Sequence, residues 1–159
     1  MEIEKKFTIR ELPGDLEQYE CIHIEQGYLC VGPVVRIRKA NDRYILTYKA
    51  KTEVDETAIH TKVNHEVELP LTEKAYMHLR EKIDGHLIVK ERYVIPLEDG
   101  HKVELDIFHG HLEGLCFAEV EFSTIEDVDV FIPPVWFAED VSMDHRYANN
   151  YLSQIDHWV

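Results

Sequence analysis

The chain is poor in cysteine, has no long apolar run and is short of positive charge. Its three cysteines, Cys21, Cys30 and Cys116, are odd in number and none stands in a C-x-x-C pair. That excludes a written disulfide framework or zinc ribbon, and the thiols read as buried or idle. No stretch approaches the roughly 18 apolar residues of a membrane span, so no membrane partner is expected. Glu2-Ile3-Glu4-Lys5-Lys6 offers no apolar core for a signal peptide, which makes the cytoplasm the expected location. Lysine and arginine total 17 against 31 acids, for a net charge of −14. A generic nucleic-acid binder needs a basic face, and long nucleic acid is therefore an unsuitable partner. Repeats, low-complexity tracts and linker-like shifts are also missing, so the 159 residues are expected to form a single domain, 1–159.

What is present is the rhythm of strands and turns. Alternation of apolar and polar residues predicts strands at 2–9, 21–30, 34–40, 43–51, 61–69, 87–96, 101–108 and 115–122. Asp99-Gly100, between Ile95 and Val103, signals a hairpin. His109 and His111 flank Gly110, and a turn between strands accounts for them better than a zinc site, since no further ligand stands at a recognisable spacing. A helix is predicted over 73–84, stopped by Gly85. Ser123-Thr124-Ile125-Glu126 has the form of a capping box and should open a short helix ended before Pro133-Pro134. Asp144 can cap a last helix with Tyr147, Tyr151, Leu152 and Ile155 as its apolar stripe.

The residues that alternate with the apolar ones are charged in seven of these strands. They are Glu2, Glu4 and Lys6; Arg36 and Arg38; Lys49 and Lys51; Glu66 and Glu68; Lys90 and Arg92; Glu104 and Asp106; and Glu119 and Glu121. A strand has period two, so each i, i+2 pair shares a face. One such pair is most simply a solvated outer face. Whole strands of one sign are costly, however, unless an opposite strand or a ligand compensates them. Closing about eight antiparallel strands into a barrel would set acidic and basic strands across one lumen. Eight of these residues are acids and seven are bases, so the lumen would stand near −1, leaving 23 acids and 10 bases, or −13, for the rest of the molecule. Clustered carboxylates suit hard cations such as Mg²⁺ or Mn²⁺, and arginine and lysine clamp phosphate oxygens. Two such ions would bring the lumen to about +3, suited to a small polyanion and not to a long one.

Glu2-x-Glu4-x-Lys6 resembles the ExExK signature of the triphosphate tunnel metalloenzymes, the CYTH superfamily. Val35-Arg36-Ile37-Arg38, Tyr48-Lys49-Ala50-Lys51, Lys90-Glu91-Arg92-Tyr93, Glu104-Leu105-Asp106 and Glu119-Val120-Glu121 follow in that family's order. The resemblance covers nearly the whole chain and is greatest to short bacterial members. It implies a mainly β (α+β) fold, a closed eight-stranded antiparallel β-barrel tunnel with a few flanking helices. It also implies metal-dependent hydrolysis of a linear triphosphate, with inorganic tripolyphosphate the first choice of substrate. A class IV-type adenylate cyclase, a thiamine triphosphatase and a non-catalytic polyphosphate-binding module are the alternatives.

By the same resemblance Lys6, Arg36, Arg38, Lys49, Lys51, Lys90 and Arg92 would bind phosphates, with Arg146 a further clamp. Glu2, Glu4, Asp106, Glu119 and Glu121 would hold Mg²⁺ or Mn²⁺, two ions in number. Tyr28 could act beside Lys6 as a polarising partner. Glu66, Glu68 and Glu104 are either metal ligands or partners of the bases. Monomer and homodimer both remain open.

Overall fold

The structure, a computed structural model, describes residues 2–158. Nine strands are present in it: β1 (Glu2–Ile9), β2 (Glu20–Val31), β3 (Val34–Ala40), β4 (Arg43–Lys51), β5 (Lys62–Pro70), β6 (Asp84–Pro96), β7 (Lys102–His109), β8 (Cys116–Phe122) and β9 (Phe137–Asp140). Four short helices accompany them: α1 (Glu56–Ile59), α2 (Glu73–Arg80), α3 (Ile125–Val130) and α4 (Asn149–Leu152). The first eight strands match the periodic segments of the sequence to within a few residues.

The strand order is β5-β4-β3-β2-β6-β7-β8-β1, and a further pairing of β5 with β1 closes the ring. Every pairing is antiparallel, so the fold is a closed eight-stranded barrel. Closure is made by three residues at the start of β1, where Glu2 faces Asn64 and Glu4 faces Lys62. Beyond that point β5 leaves the edge of β1, and β9 takes its place opposite Phe7 and Ile9. Open backbone groups on that edge are thereby paired. β9 is only four residues long, Phe-Ala-Glu-Asp, too short to show an alternation and absent from the sequence reading.

The charged lumen puts most of the hydrophobic core outside the barrel wall. Ile3, Phe7, Val63, Ile95, Val103, Leu105, Ala118, Val120 and Phe122 point outward and pack with Val128 of α3 and Phe137 of β9. A second cluster lies at one end of the lumen itself. There Tyr28, Ile88, Phe108 and Phe117 meet Leu112, Leu115 and Leu152, with Tyr147, Ile155 and Trp158 packed against them. The C-terminal segment thus plugs one end of the barrel with apolar side chains.

The helices depart from expectation in detail. α2 stops at Arg80, because Asp84 already begins β6, and Gly85 lies inside that strand with φ 67°. The cap of α3 is Thr124, whose hydroxyl accepts from the Asp127 N–H at 3.1 Å. Asp144 caps only a 3-10 turn, His145–Tyr147, because Ala148 is extended (φ −77°, ψ 135°) and breaks the chain before α4. Tyr151 consequently faces solvent while Leu152 is fully buried, so the expected single stripe is split. α1 was not anticipated; the Asp55 carboxylate opens it by accepting from the Thr57 and Ala58 N–H groups. Among the described residues no helix is long and apolar enough to cross a membrane.

Candidate active site

Strand order sorts the charges into two halves. β5, β1, β8 and β7 are neighbours and carry Glu66 and Glu68, Glu2 and Glu4, Glu119 and Glu121, and Glu104. β6, β2, β3 and β4 complete the ring and carry Arg92, Tyr28, Arg36 and Arg38, and Lys49 and Lys51. A cavity of about 610 Å³ separates the halves, and all of these side chains line it. Two bases stand on the acidic side, Lys62 on β5 and Lys6 on β1, the latter set opposite Glu119 by the β1–β8 register.

The basic half is crowded with like charge. Arg36 is 5% exposed; among the described residues its Nη2 makes a long hydrogen bond to the Thr47 hydroxyl at 3.4 Å and its Nε has no partner. Arg38 is held by Gln26, whose Oε1 accepts from Nε at 2.8 Å. Burial, with Arg36 and Arg92 adding repulsion, lowers the Arg38 guanidinium to about 9. An anion between these guanidiniums would relieve that repulsion.

The acidic half is crowded in the opposite sense. Burial and a hydrogen bond with Glu66 raise Glu2 to about 7, against the ion pair that Lys49 Nζ makes with its Oε1 at 2.8 Å. Burial and the charge of Glu119 raise Glu4 to about 8. Burial also raises Glu121, with Glu2 and Glu104 contributing. For Glu119 burial is outweighed by Lys6, Arg92 and Lys90, which together with a hydrogen bond from Glu4 hold it well below the usual carboxylate range. Lys49 is raised because Glu4 and Glu2 outweigh its burial. A divalent cation among these carboxylates would replace the protons that Glu2 and Glu4 retain, and an all-oxygen donor set on adjacent strands suits the hard ions.

Three residues expected in the site stand elsewhere. Asp106 and Lys90 are 0% and 1% exposed and are not among the residues that line the cavity. Lys90 Nζ donates to Asp106 Oδ2 at 2.7 Å, and Arg92 grips the same carboxylate through Nε at 2.7 Å and Nη2 at 2.9 Å. Those two cations outweigh burial and lower Asp106, whose oxygens are committed to them and not to the cavity. Arg146 is the third. Its side chain is 60% exposed, bound to Asp144 at 2.7 Å, and it does not line the cavity.

The remaining expected residues meet there, with additions. Tyr28 is 2% exposed and lines the cavity opposite Arg36 in register. Lys6 Nζ donates to the Tyr147 carbonyl at 2.7 Å and sits 4.3 Å from the centroid of the Phe117 ring. Asn64 and Lys62 of β5, and Ser142, Asn149 and Asn150 of the C-terminal segment, also line the cavity and went unnoticed in the sequence. Gln26 was missed too. It shares the lumen face with Tyr28, and extending the period-two count back from Tyr28 would have found it. The C-terminal asparagines carried no such signal, since only folding brings them to the barrel mouth.

The fold and lumen together define a closed antiparallel tunnel in which an acidic wall faces a basic one. No family model matches the chain. It is 33% identical over 156 residues to an inorganic triphosphatase of Nitrosomonas europaea, covering 96% of each chain. It is 34% identical over 155 residues to an inorganic triphosphatase of Acetivibrio thermocellus, covering 95% of this chain and 92% of that one. A crystal structure of an inorganic triphosphatase superimposes with a TM-score of 0.72 at 32% identity, covering 99% of this chain and 97% of the other. The chain belongs to the inorganic triphosphatase family.

Proposed function

We propose that this protein hydrolyses a linear inorganic triphosphate with the help of Mg²⁺ or Mn²⁺, as a triphosphate tunnel metalloenzyme of the CYTH type. The observation that carries this reading is the opposite crowding of the two walls. Raised carboxyls at Glu2 and Glu4 of β1 and Glu121 of β8 call for cations, and a lowered guanidinium on β3 calls for an anion. A metal-bound polyphosphate answers both at once, and a cavity of about 610 Å³ has room for a short one. Inorganic triphosphatase is also the name of both relatives.

Arg36, Arg38, Lys49, Lys51 and Arg92 would bind phosphate oxygens from the basic wall, and Lys6 from the acidic one. Glu2, Glu4, Glu119 and Glu121 would hold two divalent ions, with Glu66, Glu68 and Glu104 adjusting the bases and the ions. Those ions would supply charge neutralisation and lower the pKa of water. Phosphoryl transfer needs positioning and charge stabilisation more than covalent help. The chain's part is to align the phosphates in a row, exclude bulk water with its apolar plug and let Lys6 and Tyr28 polarise the reacting end. Asp106 and Lys90 act through Arg92, holding its guanidinium in place.

The test is release of phosphate from tripolyphosphate, pyrophosphate, ATP and thiamine triphosphate, each with Mg²⁺, Mn²⁺ or chelator, with cyclic AMP formation scored in parallel. Preferential release from tripolyphosphate, abolished by chelator, is expected. Pyrophosphate and cyclic AMP from ATP would replace this reading with a cyclase, preference for thiamine triphosphate with a thiamine triphosphatase, and tight binding without turnover with a binding module.

A further inference from the structure

The outer face of the barrel carries a second group of ligating side chains, unlike the lumen in chemistry. Cys21 and His23 stand two residues apart on β2, so both project from one face, and the β2–β6 register sets Glu91 directly opposite His23. Cys21 Sγ lies 3.5 Å from Glu91 Oε2, and His23 Nδ1 lies 3.8 Å from the same oxygen. One ligand atom from each of the three lies within 4.8 Å of the other two. From β7, His109 Nε2 stands 2.8 Å from the second oxygen, Glu91 Oε1.

The two distances to Glu91 Oε2, 3.5 and 3.8 Å, suit ligands of one ion. A tetrahedral centre with bonds of about 2.0–2.3 Å to nitrogen, oxygen and sulfur sets its ligands about 3.3–3.8 Å apart. The sequence concealed the group: Cys21, His23, Glu91 and His109 lie on three strands, and no ligand spacing is visible until β2, β6 and β7 pair. His23 is 71% exposed at its side chain and Glu91 32%, so the group is open to ions from solution.

We propose that Cys21, His23 and Glu91 form a second metal site, specific for a borderline-soft transition ion of the Zn²⁺ class. The thiolate, an imidazole nitrogen and one carboxylate oxygen bind the ion, the thiol proton passes to solvent, and water fills the fourth position. His109 holds the other Glu91 oxygen and orients the carboxylate as a positioning residue. Sulfur and nitrogen donors select Zn²⁺ and Co²⁺ over Mg²⁺ and Mn²⁺, whereas the lumen offers carboxylates and no cysteine. The protein therefore sorts two classes of ion on the two sides of one wall. The outer ion clamps β2 to β6 and acts as a stabilising element independent of hydrolysis.

The experiment is Co²⁺ titration of the metal-free full chain with excess Mg²⁺ present, read by thiolate-to-cobalt charge-transfer absorption in the near ultraviolet. A band saturating near one equivalent and displaced by Zn²⁺ is expected. Cys21→Ser should abolish it, while Cys30→Ser and Cys116→Ser should keep it. His23→Ala, at an exposed position, should weaken Co²⁺ binding at least about tenfold and remove the rise in melting temperature that Zn²⁺ gives the unsubstituted chain. No band at stoichiometric Co²⁺, a band that survives Cys21→Ser, or Co²⁺ affinity unaltered by His23→Ala would overturn the proposal.

Discussion

Glu104 and Asp106 are indistinguishable as an i, i+2 acidic pair, yet they hold different positions in the fold. The β6–β7 register sets Arg92 opposite Asp106, where a bidentate grip and the Lys90 ammonium consume the carboxylate, while the Glu104 side chain stays 38% exposed. Asp106→Ala would take the carboxylate from buried Lys90 and leave Arg92 only its contacts with Glu104 at 3.1 Å and Glu119 at 3.8 Å, and should destabilise the protein by about 3–5 kcal/mol in urea unfolding. Glu119 differs again. It lies between Glu4 and the cations Lys6 and Arg92, and it is the carboxylate held most firmly ionised at the cavity. Glu119→Ala should lower metal-dependent phosphate release at least about 100-fold, with the circular dichroism spectrum unchanged. Normal turnover in that variant would remove Glu119 from the metal set.

At the scale of elements, the strands were legible and the C-terminal segment was not. Long alternating runs announce themselves because the pleat forces every second side chain to one face. The end of the chain instead folds as a 3-10 turn and one short helix, shaped by the barrel mouth it fills. Its anchor is backbone: the His86 N–H donates to the Ser153 carbonyl at 2.7 Å beside Gly85, whose φ is 67°. A Cβ on Gly85 would collide with that carbonyl as well as strain the left-handed backbone. Gly85→Ala should therefore lower stability by about 1–3 kcal/mol. Because Asn149 and Asn150 line the cavity from this segment, it should also raise KM for the triphosphate more than it lowers kcat. Denaturant melts and steady-state kinetics on the same preparation would separate the two effects.

At the scale of the whole molecule, stability and the proposed metal binding would be linked through protons. Glu2 and Glu4 rise from 4.5 to about 7 and about 8 in the folded chain, so between those values the native state binds more protons than the unfolded one. Their contribution to stability then falls as pH rises, and the loss is complete above about 8. Burial lowers Lys90 from 10.5 to about 7, which adds stability as pH rises above that value, so the melting temperature of the metal-free protein should decline from pH 5 to about pH 7. Mg²⁺ held by Glu2 and Glu4, as proposed, would expel the same protons, so its apparent affinity should rise with pH and level off above about 8. Calorimetric titration of Mg²⁺ from pH 5 to pH 9 checks the sign, and an affinity independent of pH would place the ions away from Glu2 and Glu4.

The sequence by itself determined the eight long strands and the face each charged pair shares, because these follow from a period of two. It could not determine the ring order. Pairing of β2 with β6 and of β5 with β1 joins segments far apart in the chain, and that order alone gathers the acids on one wall and the bases on the other. The tertiary structure also decided which charges face the cavity and which, like Asp106 and Lys90, are spent on each other. The opposed walls are thus local in their ingredients and long-range in their arrangement: side-chain direction is set by the pleat of each strand, and neighbours are set only by closure of the barrel.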